Sequence, residues 1–235
     1  MTKLSFFLAS ASALWLAGCS FGVDGNGERI EETRETSTFS RVRSRCELDV
    51  RITQSSERSV IVSLDSNLTR HVTTHVSDDT LYVDLDENID EHVSGPHVLI
   101  TTPELSAAKL DGSGDMDITF DAPELPLDLF LTGSGDLTYS GTSAALGAYL
   151  DGSGDLRLEG QTGDVDMKLD GSGDIRGAHL QAQSGNLALD GSGDLTSTIT
   201  DSARVSLSGS GDIDLYGGAH IDSYHHDGSG DLNTH

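Results

Sequence analysis

The sequence predicts an all-β protein whose larger part is a parallel β-solenoid of repeats about 19 residues long, preceded by a strand-rich N-terminal part. Three observations predict it. The phrase Asp-Gly-Ser-Gly-Asp stands intact at 111–115, 151–155, 170–174, 190–194 and 227–231, and copies at 132–136 and 208–212 keep Gly-Ser-Gly-Asp behind Thr132 and Ser208. The first glycines fall at 112, 133, 152, 171, 191, 209 and 228, so successive copies lie 21, 19, 19, 20, 18 and 19 residues apart. A period that steady means one structural unit laid down repeatedly. Apolar residues keep fixed offsets from the phrase and alternate with period two, while no segment sustains a 3.6-residue stripe.

The first residues read as an export signal. Lys3 precedes an apolar run, Leu4 to Leu16, that is short for a membrane span. It ends in Leu16-Ala17-Gly18-Cys19, which resembles the lipobox of bacterial lipoproteins, where small residues precede a cysteine that becomes lipidated and N-terminal. The resemblance implies a signal peptide over 1–18, lipid on Cys19, and membrane contact through that lipid. Ser20, where inner-membrane retention would show Asp, points to the outer membrane of the cell envelope. Trp15, the single tryptophan, would leave with the signal. With Cys19 acylated, Cys46 has no disulfide partner and reads as a small buried apolar residue.

Residues 19–36 read as the lipidated N-terminus and a solvated tether, being polar with almost no apolar periodicity. From 37 to 103 a series of strands is expected. Cys46, Leu48, Val50 and Ile52 alternate, and Val60, Val62 and Leu64 follow after a polar Gln54–Arg58 segment, a hairpin-like spacing. Asp65 to Leu68 reads as a turn or short helical start, and Thr80–Leu85 and His97–Thr102 read as further strands before Pro103.

From 104 to 235 the repeat takes over. Two residues before each first glycine stand Leu110, Leu131, Leu150, Leu169, Leu189, Leu207 and then His226. Directly after each Gly-Ser-Gly-Asp stand Met116, Leu137, Leu156, Ile175, Leu195, Ile213 and Leu232. Each repeat is therefore strand, glycine corner, strand. A unit this short cannot bury its own apolar face, so neighbours must stack, with leucine above leucine. Prolines occur at 96, 103, 123 and 126, outside the regular later coils.

The wider order of segments carries a resemblance. Phe39 and Val42, Leu48 to Thr53, Val60-Ile61-Val62, Asn67-Leu68, Asp79 to Val83 and Val98 to Leu105 precede the recurring Leu-x-Gly-Ser-Gly-Asp. This resembles the head GIN domain family of bacterial auto-transporter adhesins over about residues 38–235. The resemblance implies an exported, β-helix-like domain, often a lipoprotein, with adhesion as its suggested role and no catalytic residues to carry across.

Charge excludes one class of partner. With 14 basic and 39 acidic residues the net charge is −25, so nucleic acid, which needs a basic face, is a poor partner. The acids lie in register: Asp115, Asp136, Asp155, Asp174, Asp194, Asp212 and Asp231 form one column, and Asp111, Asp151, Asp170, Asp190 and Asp227 most of another. Such columns either bond turn backbone and face water, or hold calcium through carboxylate and carbonyl oxygens. The serine column, Ser113 to Ser229, has no histidine recurring beside it to act as a base. His71 and His75, four apart, would share a helical face but show no third zinc ligand. Nothing calls for a cofactor, and no catalytic or metal residues are assigned.

The leading expectation is a non-enzymatic, lipid-anchored envelope protein that adheres to a cell-surface protein or polysaccharide. Without tryptophan in the mature chain, only Tyr82, Tyr139, Tyr149, Tyr216 and Tyr224 could stack on sugars. The alternatives are a polysaccharide hydrolase or lyase on a β-helix scaffold, whose site would be a local exception to the repeat, and a calcium-binding structural solenoid. With no capping segment evident after the last repeat, self-association through that end of the solenoid is also expected.

Overall fold

The computed structural model describes residues 22–86, 89–90 and 97–235; the expected signal peptide and Cys19 lie outside them. The regular structure of the described residues is strand, apart from one 3-10 turn at Thr69–His71. In chain order the strands are β1 (Val23–Asp24), β2 (Arg29–Thr33), β3 (Arg41–Ser44), β4 (Val50–Gln54), β5 (Ser59–Asp65), β6 (Val72–Ser77), β7 (Thr80–Leu85), β8 (Ile89–Asp90), β9 (Val98–Thr102) and β10 (Ala107–Leu110). The repeats supply β11 (Met116–Leu131), β12 (Leu137–Gly152), β13 (Leu156–Gly171), β14 (Ile175–Gly191), β15 (Leu195–Gly209), β16 (Ile213–Tyr216), β17 (His220–Gly228) and β18 (Leu232–Thr234).

The stacking is parallel and in register, as the repeat predicts. Each long strand serves two faces. The first half of β11 pairs with β4 and its second half with β10; at the far end the first half of β15 pairs with β16 and its second half with β17. Between these ends β11 to β15 pair in sequence along both halves. Alternate residues point inward and are buried, among them Leu137, Leu150, Leu156, Leu169, Leu195 and Leu207, which form continuous apolar columns. The core needs size compensation where a column thins. Gly177 follows Tyr139 and Leu158 in one column, and the flexible end of Met167 fills the gap, with its Cε 2.7 Å from where a Gly177 Cβ would stand.

The steps between repeats appear as local irregularities of the ladder. The 21-residue step places two extra residues between Ala122 and Pro126, where Leu125 is exposed. The 20-residue step inserts one residue in β14, so that Arg157 pairs with Arg176 but Glu159 pairs with His179. Such a bulge bends the strand and re-aims its side chains.

The solenoid does not begin at residue 104. On one face β9 lies beside β4, and on the other β7 lies beside β3, all parallel. The N-terminal part thus contributes two coils of its own. The expected pairing of the Cys46 and Val60 strands is replaced: β9 comes between, antiparallel to β5 and parallel to β4. Antiparallel β5, with β2 outside it, and antiparallel β6 cap this end. The cap covers strand edges that would otherwise pair with other chains.

The tether is also shorter than its composition implies. Residues 29–33, placed in it by their lack of alternation, form β2 on β5. Ile30 is the only large apolar residue of that strand and is itself exposed. Backbone bonding holds it, extended by Arg34, whose N–H bonds the Val60 carbonyl and whose guanidinium bonds the Thr69 carbonyl at 2.6 Å. Backbone pairing leaves little trace in a hydrophobic pattern.

Candidate functional site

The aspartate column is a hydrogen-bonded ladder. Each carboxylate accepts the backbone N–H of the corresponding aspartate one coil on: Asp136 N–H to Asp115, Asp155 to Asp136, Asp174 to Asp155, Asp194 to Asp174, Asp212 to Asp194 and Asp231 to Asp212, at 2.8–3.1 Å. Two unit charges one strand spacing apart, about 4.8 Å, repel by roughly 0.9 kcal/mol in water. A hydrogen bond to a charged group contributes about 1.5–3 kcal/mol net, so the ladder is stabilising despite the repulsion. The bond crosses to the next coil instead of closing within its own turn.

The ladder continues into residues that lack the repeat. Asp115 N–H donates to Asp49 at 3.0 Å, and Asp49 N–H donates to Nδ1 of His97 at 2.9 Å, which requires the Nε2–H tautomer there. Residues 45–49 are therefore a glycine-free version of the corner, with Cys46 and Leu48 opposite Gly112 and Gly114. Cys46 is buried, as its alternating run predicts, and burial pushes its thiol pKa up.

The other column is mostly solvent-facing. Its first member differs: Asp111 bonds Arg43, Lys109 and Thr132. Burial raises its pKa, but those three partners outweigh burial and hold it below the ordinary carboxylate value. Among the described residues no three His, Cys, Asp or Glu side chains are placed to hold a metal ion. His71 sits in the 3-10 turn and bonds Asp86 at 3.0 Å, whereas His75 lies on β6 and stacks on Tyr82, so the two share no helical face. The corner serines are exposed.

The tyrosines are poorly placed as sugar platforms. Tyr139 is fully buried, its hydroxyl donating to the Phe120 carbonyl at 3.3 Å. Tyr82 has the His75 ring on one side and the Arg45 guanidinium 5.1 Å from its ring centroid. Tyr149 stacks on Phe130 at 4.9 Å, Tyr216 on His235 at 4.5 Å, and Tyr224 on His226 at 5.8 Å. Burial, chiefly, pushes the phenols of Tyr139 and Tyr149 up to about 12, with Asp166 adding to the shift at Tyr149. A phenolate absorbance titration is expected to show a late step near pH 12 from these two side chains. Tyr139→Phe removes half of that step; an unchanged step would place the shift elsewhere.

One place departs from the repeat chemistry. A cleft of about 390 Å³ opens on the first face beside the β14 bulge, lined by Arg157, Asp174, Arg176, Ala178, His179, Asp194, Thr196 and Asp214. Its floor is one ladder row across four strands, Arg157, Arg176, Thr196 and Asp214 in register. One wall is the aspartate ladder at Asp174 and Asp194, and the other is the bulged Ala178–His179. Arg176 is held by Asp155 and by Asp174, the latter at 2.8 Å. Arg157 makes no ion pair among the described residues. The uneven 20-residue step is the sequence signal that these two arginines flank an irregularity.

The family model described as "Putative auto-transporter adhesin, head GIN domain" matches residues 38–219. No curated protein matches the chain. Among solved structures, a "putative adhesin" from Bacteroides fragilis is 23% identical, covers 91% of this chain and 100% of its own, and superposes with a TM-score of 0.82. A "putative lipid binding protein" from Parabacteroides distasonis is 20% identical over 92% of this chain and 100% of that one, with a TM-score of 0.73. A "putative adhesin" from Parabacteroides merdae is 19% identical over 91% and 99%, with a TM-score of 0.68. At these identities the likeness is one of fold.

Proposed function

The chain belongs to the family of auto-transporter adhesin head GIN domains, and from that premise we propose that it is a non-enzymatic adhesion module of the cell envelope. In this reading lipid on Cys19 anchors it in the outer membrane, β1 and the Asn26 and Gly27 bonds to Asn67 and Asp65 hold the chain against the domain from residue 23 on, and the solenoid presents its two outer faces to a surface protein or polysaccharide. The observation that carries the non-enzymatic part is the ladder. Each of its carboxylates from Asp49 to Asp212 is occupied as an acceptor for the next coil's backbone. The most repeated acid of the sequence thereby has a role in holding coils together, which accounts for its repetition without catalysis.

Two measurements test this. Palmitate labelling and membrane fractionation are expected to find the protein lipidated and sedimenting with membranes, and Cys19→Ser is expected to abolish both; labelling that survives the substitution refutes the anchor. The purified protein is expected to bind sister cells, host surfaces or isolated envelope polysaccharide without consuming them. Reproducible depolymerisation of any glycan in the same assays would favour the hydrolase or lyase reading. That reading has one specific support, since the cleft at β14 is the sort of local exception to a repeat that an enzyme site would need.

A further inference from the structure

We propose that the β14 cleft is a binding subsite for a single uronic-acid unit of an acidic polysaccharide, whose carboxylate pairs with Arg157 and whose hydroxyls bond His179, Thr196 and Asp214. The inference rests on the adhesion reading and names the chemistry of its partner.

Charge is the first argument. Arg157 and Arg176 stand directly opposite each other on adjacent strands, an arrangement that is destabilising for like charges. The solenoid contains one comparable basic pair, Arg43 opposite Lys109, and there Asp111 bridges both. At the cleft only Arg176 is held in ion pairs, although the charge of Arg157 also acts on Asp155. Arg176 is taken by Asp155 and Asp174, and Arg157 is left with its fork of donors open in a chain of net charge −25. A guanidinium so placed matches a carboxylate bidentately.

Shape is the second. A volume of about 390 Å³ falls within the range of small-ligand sites. The Ala178 methyl offers a small apolar contact, while His179, Thr196, Asp194 and Asp214 offer donors and acceptors on the remaining sides. One carboxylate, several hydroxyls and a small apolar face describe a hexuronic acid. The bulge is what makes the room, because an unbulged coil would keep this row flat. Three carboxylates line the cleft itself: Asp174 pairs with Arg176, Asp214 lies 3.4 Å from His235 Nε2, and Asp194 accepts the Asp212 N–H, so the ligand's carboxylate must lie on the Arg157 side.

The test uses the full-length protein in detergent, titrated calorimetrically with short oligogalacturonides and oligoglucuronides, with their methyl esters, and with sulfate at matched ionic strength. Binding of at least one oligouronide is expected, weakened about tenfold or more by methyl esterification and by Arg157→Gln, as loss of a charge-assisted pair implies. Arg204→Gln, on the opposite face and paired with Asp222 at 3.4 Å, is expected to bind like the parent. Arg157 is exposed, so Arg157→Gln is expected to melt with the parent. No binding of either oligouronide, equal binding of the methyl esters, sulfate competing as well as the sugars, or unchanged affinity in Arg157→Gln each overturns the assignment. The two readings fail separately. Cell binding that survives Arg157→Gln removes the subsite and leaves adhesion standing, whereas oligouronide binding without any cell binding does the reverse.

Discussion

Gly173→Val is expected to lower the melting temperature by about 10 °C or more, or to prevent folding, while Ser172→Ala one residue earlier melts with the parent. A Cβ built on Gly173 would fall under 3.0 Å from the Gly154 carbonyl oxygen and carbon of the preceding coil. Both obstacles are backbone, so neither can swing aside as a side-chain tip would. The next coil bears on the same spot, because a Cβ on Gly193 would meet the Gly173 carbonyl oxygen in turn. Relief therefore requires separating a coil from its neighbour on one side or straining it on the other. A cost of about 4 kcal/mol or more follows from a forced backbone shift inside a packed stack. For a chain of this size each kcal/mol shifts the melting point by about 2–4 °C. Differential scanning calorimetry decides it, and a valine variant melting within error of the parent would show that the corner does not need its close approach.

Asp155→Ala is the second large effect. Asp155 accepts the Asp174 N–H at 3.1 Å and pairs with Arg176, so one substitution breaks the ladder and removes one of the two partners of Arg176. The expected loss is about 2 kcal/mol, less than the sum of two charged hydrogen bonds because Arg176 keeps Asp174. The effect depends on pH with a definite sign. Burial raises the Asp155 pKa, but the Arg176 hydrogen bond, the Asp174 N–H and the charges of Arg176 and Arg157 outweigh it, leaving it below the ordinary 3.8. A depressed folded-state pKa means stability that is present above the unfolded value and lost as pH falls through the folded one. The gap between parent and Asp155→Ala is therefore expected to be full at neutral pH and to close below about pH 4. A gap that stayed constant down to pH 2 would mean that the carboxylate contributes through packing alone.

The fold was legible where side chains repeat and obscure where backbone does the pairing. Leu110 to Leu207 and Met116 to Ile213 announced two buried columns, and glycine marked the corners, where each coil presses on the backbone of the one before; Gly141 and Gly160 make the same close approach mid-strand without a repeated phrase to announce it. The uneven steps of 21, 20 and 18 residues were legible too, as each corresponds to a shift of register at Ala122–Pro126 or in β14 and β15. What could not be read was the corner at 45–49. It carries Cys46 and Leu48 in place of glycine, and its spatial neighbour, the coil of β7 and β9, comes later in the chain. His97 was hidden for the same reason, since nothing in its sequence context says that it occupies an aspartate's rung. The placement of β9 between β4 and β5 reverses the expectation that consecutive strands are neighbours. Of the candidate cleft only the uneven 20-residue step was visible, because Arg157 and Arg176 come face to face, and Ala178–His179 becomes its wall, only through the register and bulge of β14.

Each rung of the aspartate ladder refers only to the coil beside it. A carboxylate accepts one N–H from the following coil, and its own N–H is received by the preceding one. A whole coil inserted between two others would find both bonds waiting, each neighbour exchanging one rung partner for an equivalent one. Molecular length can therefore change in whole units, each adding about 4.8 Å. The distance at which such a domain meets another surface becomes a quantity that gene duplication can count out, one corner at a time.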